Sequence, residues 1–345
     1  FEHALRMVKP LRDNNRREAR ARQWWRHGEA RPAMREAIGQ RSRFIVTSET
    51  SKHRYFVWCP ASVAPEHKLV VIPRCDDVSF GILSSRIHVA WALAVGSSLE
   101  DRPVYTTSRC FEPFPFPAGL TPADTAHQRT EALEGGAVIP ADLSEENQPL
   151  APVQYAQTAT KSVATVEPIQ SSRRRANREG GWAAEGSAQV KEEPAQRAGD
   201  TEQGPLPLSR PQRASTSPGV RQNAIAIAQA AKRLNDLRNN WLNPPEWTHR
   251  VPEVIPLAMT TSPYPDRIEP RPGLDEADLK ALQKRTLTNL YNQRPAWLAM
   301  AHQQLDAAVA AAYGWTDYSL DMPDDAILKR LLALNLERSA TIQPQ

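Results

Sequence analysis

The sequence predicts an α+β chain: a small mixed sheet with flanking helices, a long disordered insertion, and then an all-α C-terminal subdomain. Three observations lead there. Residues 43–73 carry β-branched and aromatic runs broken by polar turns, which is a strand pattern. Residues 121–222 nearly lack aromatics and fill with Pro, Ala, Gln, Glu, Ser and Thr. From residue 223 apolar residues recur at helical spacing. The expected divisions are 1–119, 120–222 and 223–340.

Residues 14–39 read as helix in two pieces, with Pro32 near a start and Gly39 at a stop. Arg16, Arg20 and Gln23 share one face, which makes it basic, and Trp24 and Trp25 are expected to anchor it. "RFIVT" and "HRYFVWC", separated by "SETSK", predict a hairpin, and "HKLVVIP" predicts a third strand. "SFGIL" is a short fourth run. It leads to a helix that Ser84 or Ser85 can cap, that Ile87, Trp91, Ala94 and Val95 stripe, and that Gly96 stops. "CFEPFPFPAGL" permits only extended, edge-like backbone. In the last third, Ala230, Leu234, Leu237 and Trp241 form a helical stripe, followed by a proline-rich connector from Pro244 to Pro272. Further helices are expected within 274–293, 295–314 and 322–338, with Trp297, Leu305 and Val309 as core.

Composition restricts the function. Thirty prolines and a charged fraction of 24% in 345 residues leave much of the chain unable to bury a core. Cys59, Cys75 and Cys110 lie far apart with no CxxC pair, so a reduced, cytoplasmic compartment without structural zinc is expected. No apolar run reaches the roughly 20 residues of a membrane helix, and no signal peptide is evident, so a soluble chain with no membrane partner is expected. The first residue, Phe1, reads like the middle of a longer frame. The net charge of +4 is uneven: residues 1–54 hold fourteen Lys/Arg against six Asp/Glu, and the remainder sums to −4. The positive front of the chain suits phosphate.

Complete catalytic motifs are missing. Asn243-Pro244-Pro245 resembles the Asn-Pro-Pro-aromatic motif that holds a flipped base, but Glu246 stands where the stacking ring belongs, and Trp247 is one place late. No Gly-x-Gly follows a strand. The same residues serve as a helix stop followed by proline. "PEHK" supplies Glu-x-Lys without a converging upstream carboxylate, and Asp76 with Asp77 reads as a turn pair before it reads as a metal site. No catalytic, cofactor or metal residue is therefore assigned.

Readers of a DNA duplex need cations for phosphate and hydrogen-bonding side chains for base edges. The basic N-terminal face offers Arg16 and Arg20. "SKHRYF" offers Lys52, His53 and Arg54, "PRCDD" offers Arg74 and Asp76, and "LSSRIH" offers Ser84, Ser85, Arg86 and His88. These eleven residues are the expected double-stranded DNA contacts.

The blocks "PLRDNNRREARARQWWRHGEARPAMREAI", "RFIVTSETSKHRYFVW", "SFGILSSRIHVAWAL" and "CFEPFPFP" resemble the target-recognition domain of MmeI-like class I S-adenosylmethionine-dependent DNA methyltransferases, the type IIL restriction-modification family. The tail from "AAKRLNDLRNNWLNPPEW" to "LLALNLER" is similar to the C-terminal helical part of the same enzymes. The resemblance implies adenine-N6 methylation in a bacterial-type, nucleoid-associated cytoplasmic setting. It implies S-adenosylmethionine as cofactor of the parent enzyme, bound by an upstream methyltransferase domain of the same polypeptide and not by this chain. It also implies that this part alone is inactive. The alternative is a stand-alone DNA-binding or regulatory module. The genomic DNA upstream of Phe1 separates the two: an in-frame Gly-rich loop and an intact Asn-Pro-Pro-aromatic motif are expected, whereas a nearby start codon favours the stand-alone module.

Overall fold

The computed structural model describes residues 2–26, 31–144, 219–255, 257, 259–262 and 264–342. They belong to one compact unit, Phe1–Pro152 with Ser217–Gln345; the second unit, Val153–Thr216, lies outside the described residues. The expectation of a disordered insertion can therefore be followed only at its borders.

Three short helices, α1 (Glu2–Met7), α2 (Lys9–Asp13) and α3 (Glu18–Arg22), precede α4 (Pro32–Ile38). The long basic face expected over Arg16, Arg20 and Gln23 does not form as one stripe, because Arg16 precedes α3 and Gln23 is its C-cap. Like charges four residues apart and an N-cap without a side-chain hydrogen bond both disfavour a longer helix there. Of the paired tryptophans, Trp24 is buried and Trp25 is 58% exposed, so one of them anchors the segment.

Strand β1 (Arg43–Ser48) lies between β2 (Val57–Pro60) and β3 (Leu69–Ile72), antiparallel to both, and Ile45 stands opposite Trp58 and Ile72. Phe44, Ile45, Val46 and Thr47 are all buried because both faces of the strand are covered. Ile45 joins the main core, while Phe44 and Val46 pack with Ile38 of α4 on the other face.

The run "SFGIL" is helical, within α5 (Asp77–Ser84). The Asp76 carboxylate accepts the Ser79 N–H at 2.7 Å and opens that helix, so a capping side chain outweighs the β-like composition of a short apolar run. Helix α6 (Arg86–Val95) follows with Ser85 as its cap, and Gly96 ends it. Next come the β4 (Ser97–Leu99) and β5 (Arg102–Val104) hairpin and a π-helical turn, Thr107–Phe111.

Packed structure continues beyond residue 120, against the expected border. Strands β6 (Thr130–Ala132) and β7 (Val138–Pro140) form a hairpin that turns through Gly135 and Gly136, both at positive φ, where glycine carries no Cβ penalty. Ala137 and Ile139 are buried, and the Val138 N–H donates to the Asp77 carboxylate at 2.8 Å. Its polar composition concealed a hairpin that is held by neighbours distant in sequence.

The C-terminal part is α7 (Val220–Leu242), a hairpin of β8 (Thr248–Val251) and β9 (Arg267–Pro270), then α8 (Glu276–Gln283), α9 (Leu287–Gln293), α10 (Ala296–Ala312) and α11 (Asp324–Ile342). The β8–β9 hairpin lies within the stretch read as a plain connector. The most buried face of α7 is rotated from the expected stripe: Ala224, Ile227, Ala228, Ala231, Leu234 and Arg238 are enclosed, whereas Ala230, Leu237 and Trp241 flank the core. Alanines face inward because α5 comes very close. A Cβ on Gly81 would lie 2.7 Å from Ile227 Cγ2, 3.0 Å from Ala231 Cβ and 3.2 Å from Leu305 Cδ1. Ile45, Phe80, Ile87, Leu234, Leu305 and Leu331 thus share one core, which joins the sheet segment to the helical tail.

Leu234→Ala is expected to destabilise the whole unit by about 2–5 kcal/mol. Denaturant unfolding followed by tryptophan fluorescence and by far-UV circular dichroism should give one coincident transition. Separate melting of the sheet segment would refute the shared core.

Candidate nucleic-acid interface

The N-terminal segment presents positive charge to solvent. Arg6, Arg16, Arg17 and Arg22 are exposed, and none of them pairs with a carboxylate among the described residues. Arg20 is half-buried. Lys9 is paired with Asp13 at 2.7 Å, and the Arg12 guanidinium donates to the Arg26 carbonyl, which ties the short helices together. Lys52 is exposed on the loop between β1 and β2, beside the half-buried His53.

Most of the other expected contacts are enclosed. Arg54, 7% exposed, donates to Thr47 Oγ1 at 3.0 Å and to the Pro103 carbonyl at 3.0 Å, and also to the Ser48 carbonyl, so it closes the loop it sits on. Arg74, 8% exposed, bonds the Thr125 carbonyl at 3.1 Å and Ser79 Oγ at 3.2 Å, with Asp76 Oδ2 at 3.4 Å. Asp76 and Ser85 are helix caps, and Ser84 is buried in α5. His88 is fully buried, with Nε2 3.0 Å from the Tyr105 hydroxyl and the Phe114 ring 4.4 Å away. Burial first, and then the Arg54 charge, hold its imidazole down at about 3.

Arg86 is half-buried and turned toward the helical tail. Its guanidinium bonds Asp324 Oδ1 at 2.7 Å and the carbonyls of Leu320 and Met322 at 2.9 and 2.7 Å. Its backbone N–H donates to Asp306 at 2.7 Å, so a carboxylate from α10 helps cap α6. In this structure Arg54, Arg74, Asp76, Ser84, Ser85, Arg86 and His88 are occupied by folding. Arg16, Arg20, Lys52 and His53 remain at the surface.

A pair that sequence reading missed lies beside His53. His53 Nε2 is 2.8 Å from Asn292 Oδ1, across 239 positions of chain, and Arg294 follows, exposed, ahead of Pro295. The available signal was polar residues directly before a proline-led helix, and it says nothing of the loop they meet. Asn243 is the C-cap of α7, with its N–H bonded to the Asn239 carbonyl at 2.8 Å, and Pro244 is buried behind it. Trp241 and Trp247 both flank Arg285, whose guanidinium carbon lies 5.5 and 4.6 Å from their ring centroids. The Asn-Pro-Pro stretch thus ends a helix and frames a cation–π contact. Among the described residues no three of His, Cys, Asp and Glu converge as metal ligands, and no single helix is long and apolar enough to cross a membrane.

The buried groups set a pH dependence. His88, at about 3, and His302, held at about 4 mainly by burial, stay neutral when folded but titrate near 6.5 when unfolded, so stability is lost as pH falls from 6.5 toward 3. Burial raises the Asp306 carboxyl from 3.8 to about 6, so its contribution runs the other way, with stability falling as pH rises through that window. Asp306→Asn keeps an acceptor for Arg86 and removes the opposing part. Its stability should rise more steeply than that of the wild type between pH 4 and about 6, read by urea unfolding at each pH. Parallel profiles would contradict this assignment.

The family model for the MmeI target recognition domain matches residues 1–118. A solved structure of the type IIL restriction-modification enzyme MmeI in complex with DNA is similar at 14% identity with a TM-score of 0.46, over 98% of this chain and 26% of that chain. The present chain thus spans about a quarter of the length of that enzyme. No curated protein matches the chain. Over residues 1–118 the chain is therefore similar to the MmeI target-recognition domain.

Proposed function

We propose that the chain is the DNA-sequence-recognition part of a site-specific adenine-N6 DNA methyltransferase of the restriction-modification kind. Methyl transfer and S-adenosylmethionine binding would belong to an upstream domain of the same polypeptide, in a bacterial cytoplasm, and this chain alone would be inactive. The match of residues 1–118 to a target-recognition model carries the reading. Physical support comes from the uncompensated arginines on the N-terminal segment, which suit a phosphate backbone. The chain contains no Gly-x-Gly, and Asn243 is occupied as a helix cap, so no cofactor or catalytic step is assigned to its residues.

In this reading the exposed cations grip the duplex and hold its register, and the surface polar side chains read base edges while the absent domain receives the flipped base. Electrophoretic mobility shifts across a salt series test it. Duplex binding should weaken steeply from 50 to 200 mM salt. Arg16→Ala should weaken binding at every sequence and reduce the slope of log K against log salt by about 0.9. Binding that ignores salt would sink the proposal.

A further inference from the structure

We propose that Asn292, in the helical tail, contacts a base edge on the same DNA surface, positioned by His53 and flanked by Lys52 and Arg294 as phosphate contacts. This rests on the DNA-recognition reading above and adds residues outside the matched target-recognition segment to it.

An amide oxygen can only accept, so the 2.8 Å contact fixes His53 Nε2 as the donor to Asn292 Oδ1. That bond orients the amide. It leaves both Nδ2 hydrogens and one Oδ1 lone pair without a partner among the described residues, on an exposed side chain. An oriented amide with one acceptor and two donors matches the N6 and N7 edge of adenine.

The support beneath the pair is rigid. Tyr291 packs against Tyr55 and His53 with ring centroids 5.5 and 6.1 Å away. Arg238 Nη1 donates to the Tyr291 hydroxyl at 3.2 Å, and that hydroxyl is 2.9 Å from Nε2 of neutral His302. Arg238 is itself 2% exposed and bonds the Phe56 carbonyl at 2.8 Å. Loop and tail are thereby locked in one arrangement, as a reading residue requires.

Two exposed cations adjoin it in sequence. Lys52 precedes His53 and Arg294 follows Asn292 by two, both exposed and both without a carboxylate partner among the described residues. The carboxylate that senses Arg294, Asp306, is 5% exposed and turned to the Arg86 N–H. A polyanion with readable edges fits this patch better than a neutral partner does.

The test uses the full 345-residue chain and a pool of duplexes randomised over ten positions, with selection and sequencing of the bound fraction. Asn292→Ala should relax preference at one or two adjacent base pairs by roughly tenfold and leave the salt slope unchanged. Lys52→Ala and Arg294→Ala should weaken all sequences alike and lower the slope by about 0.9 each. His53→Ala should relax preference as Asn292→Ala does, and His53→Gln, which restores a donor, should recover it. Melting temperatures near that of the wild type are expected for these surface changes. The inference is overturned if Asn292→Ala keeps the full preference, or if both cation variants keep the wild-type slope, while Arg16→Ala still weakens binding. If the wild type shows no salt-dependent binding and Arg16→Ala is silent, the DNA reading itself fails, and this inference fails with it.

Discussion

Helix α7 can lie against α5 because Gly81 has no side chain, and the rest of the molecule is arranged around that approach. With a hydrogen at Gly81, Ile227, Ala231 and Leu305 close over α5, so the sheet segment and the tail bury one another. Interiors are packed at crystal-like density, and an added methyl here would have to displace three neighbours at once. The chain between α5 and α7 is long, yet loop-closure entropy grows only slowly with length. A large polar stretch can therefore separate two halves of one core at modest thermodynamic cost.

Polar contacts then fix how the halves meet. Asp306 caps α6 from α10, Arg86 is held by Asp324 and two tail carbonyls, Tyr313 donates to the Pro115 carbonyl, and Asn335 donates to that of Pro113. The proline-rich run after Cys110 presents carbonyls that no strand partner takes, and the tail supplies the missing donors. Buried Arg238 follows the same logic in reverse: a guanidinium enclosed without a carboxylate partner among the described residues is satisfied by the Phe56 carbonyl, the Tyr291 hydroxyl and the Phe80 ring 5.5 Å away.

Much of the fold could be read from local chemistry. Proline starts and glycine stops located α4 and α10, serine marked α6, and alternating β-branched and aromatic runs located the three-stranded sheet. Where this reading failed, a longer-range contact had decided the matter. "SFGIL" became helix once Asp76 capped it, and the Gly135–Gly136 hairpin is fixed by Asp77, 61 positions away. The inward face of α7 shifted toward its alanines because only they admit α5.

By itself the sequence determined the three-stranded sheet and most of the helices, the basic N-terminus, the family resemblance and the incompleteness of the Asn-Pro-Pro stretch, all of which depend on residue type and near neighbours. The tertiary structure alone decided which polar side chains face solvent. Arg54, Arg74 and His88 have the composition of base readers, and the same hydrogen-bonding capacity suits them to loops, caps and buried networks. Arg74 meets Thr125 across 51 positions and His53 meets Asn292 across 239, so only the folded chain separates an enclosed arginine from an exposed asparagine.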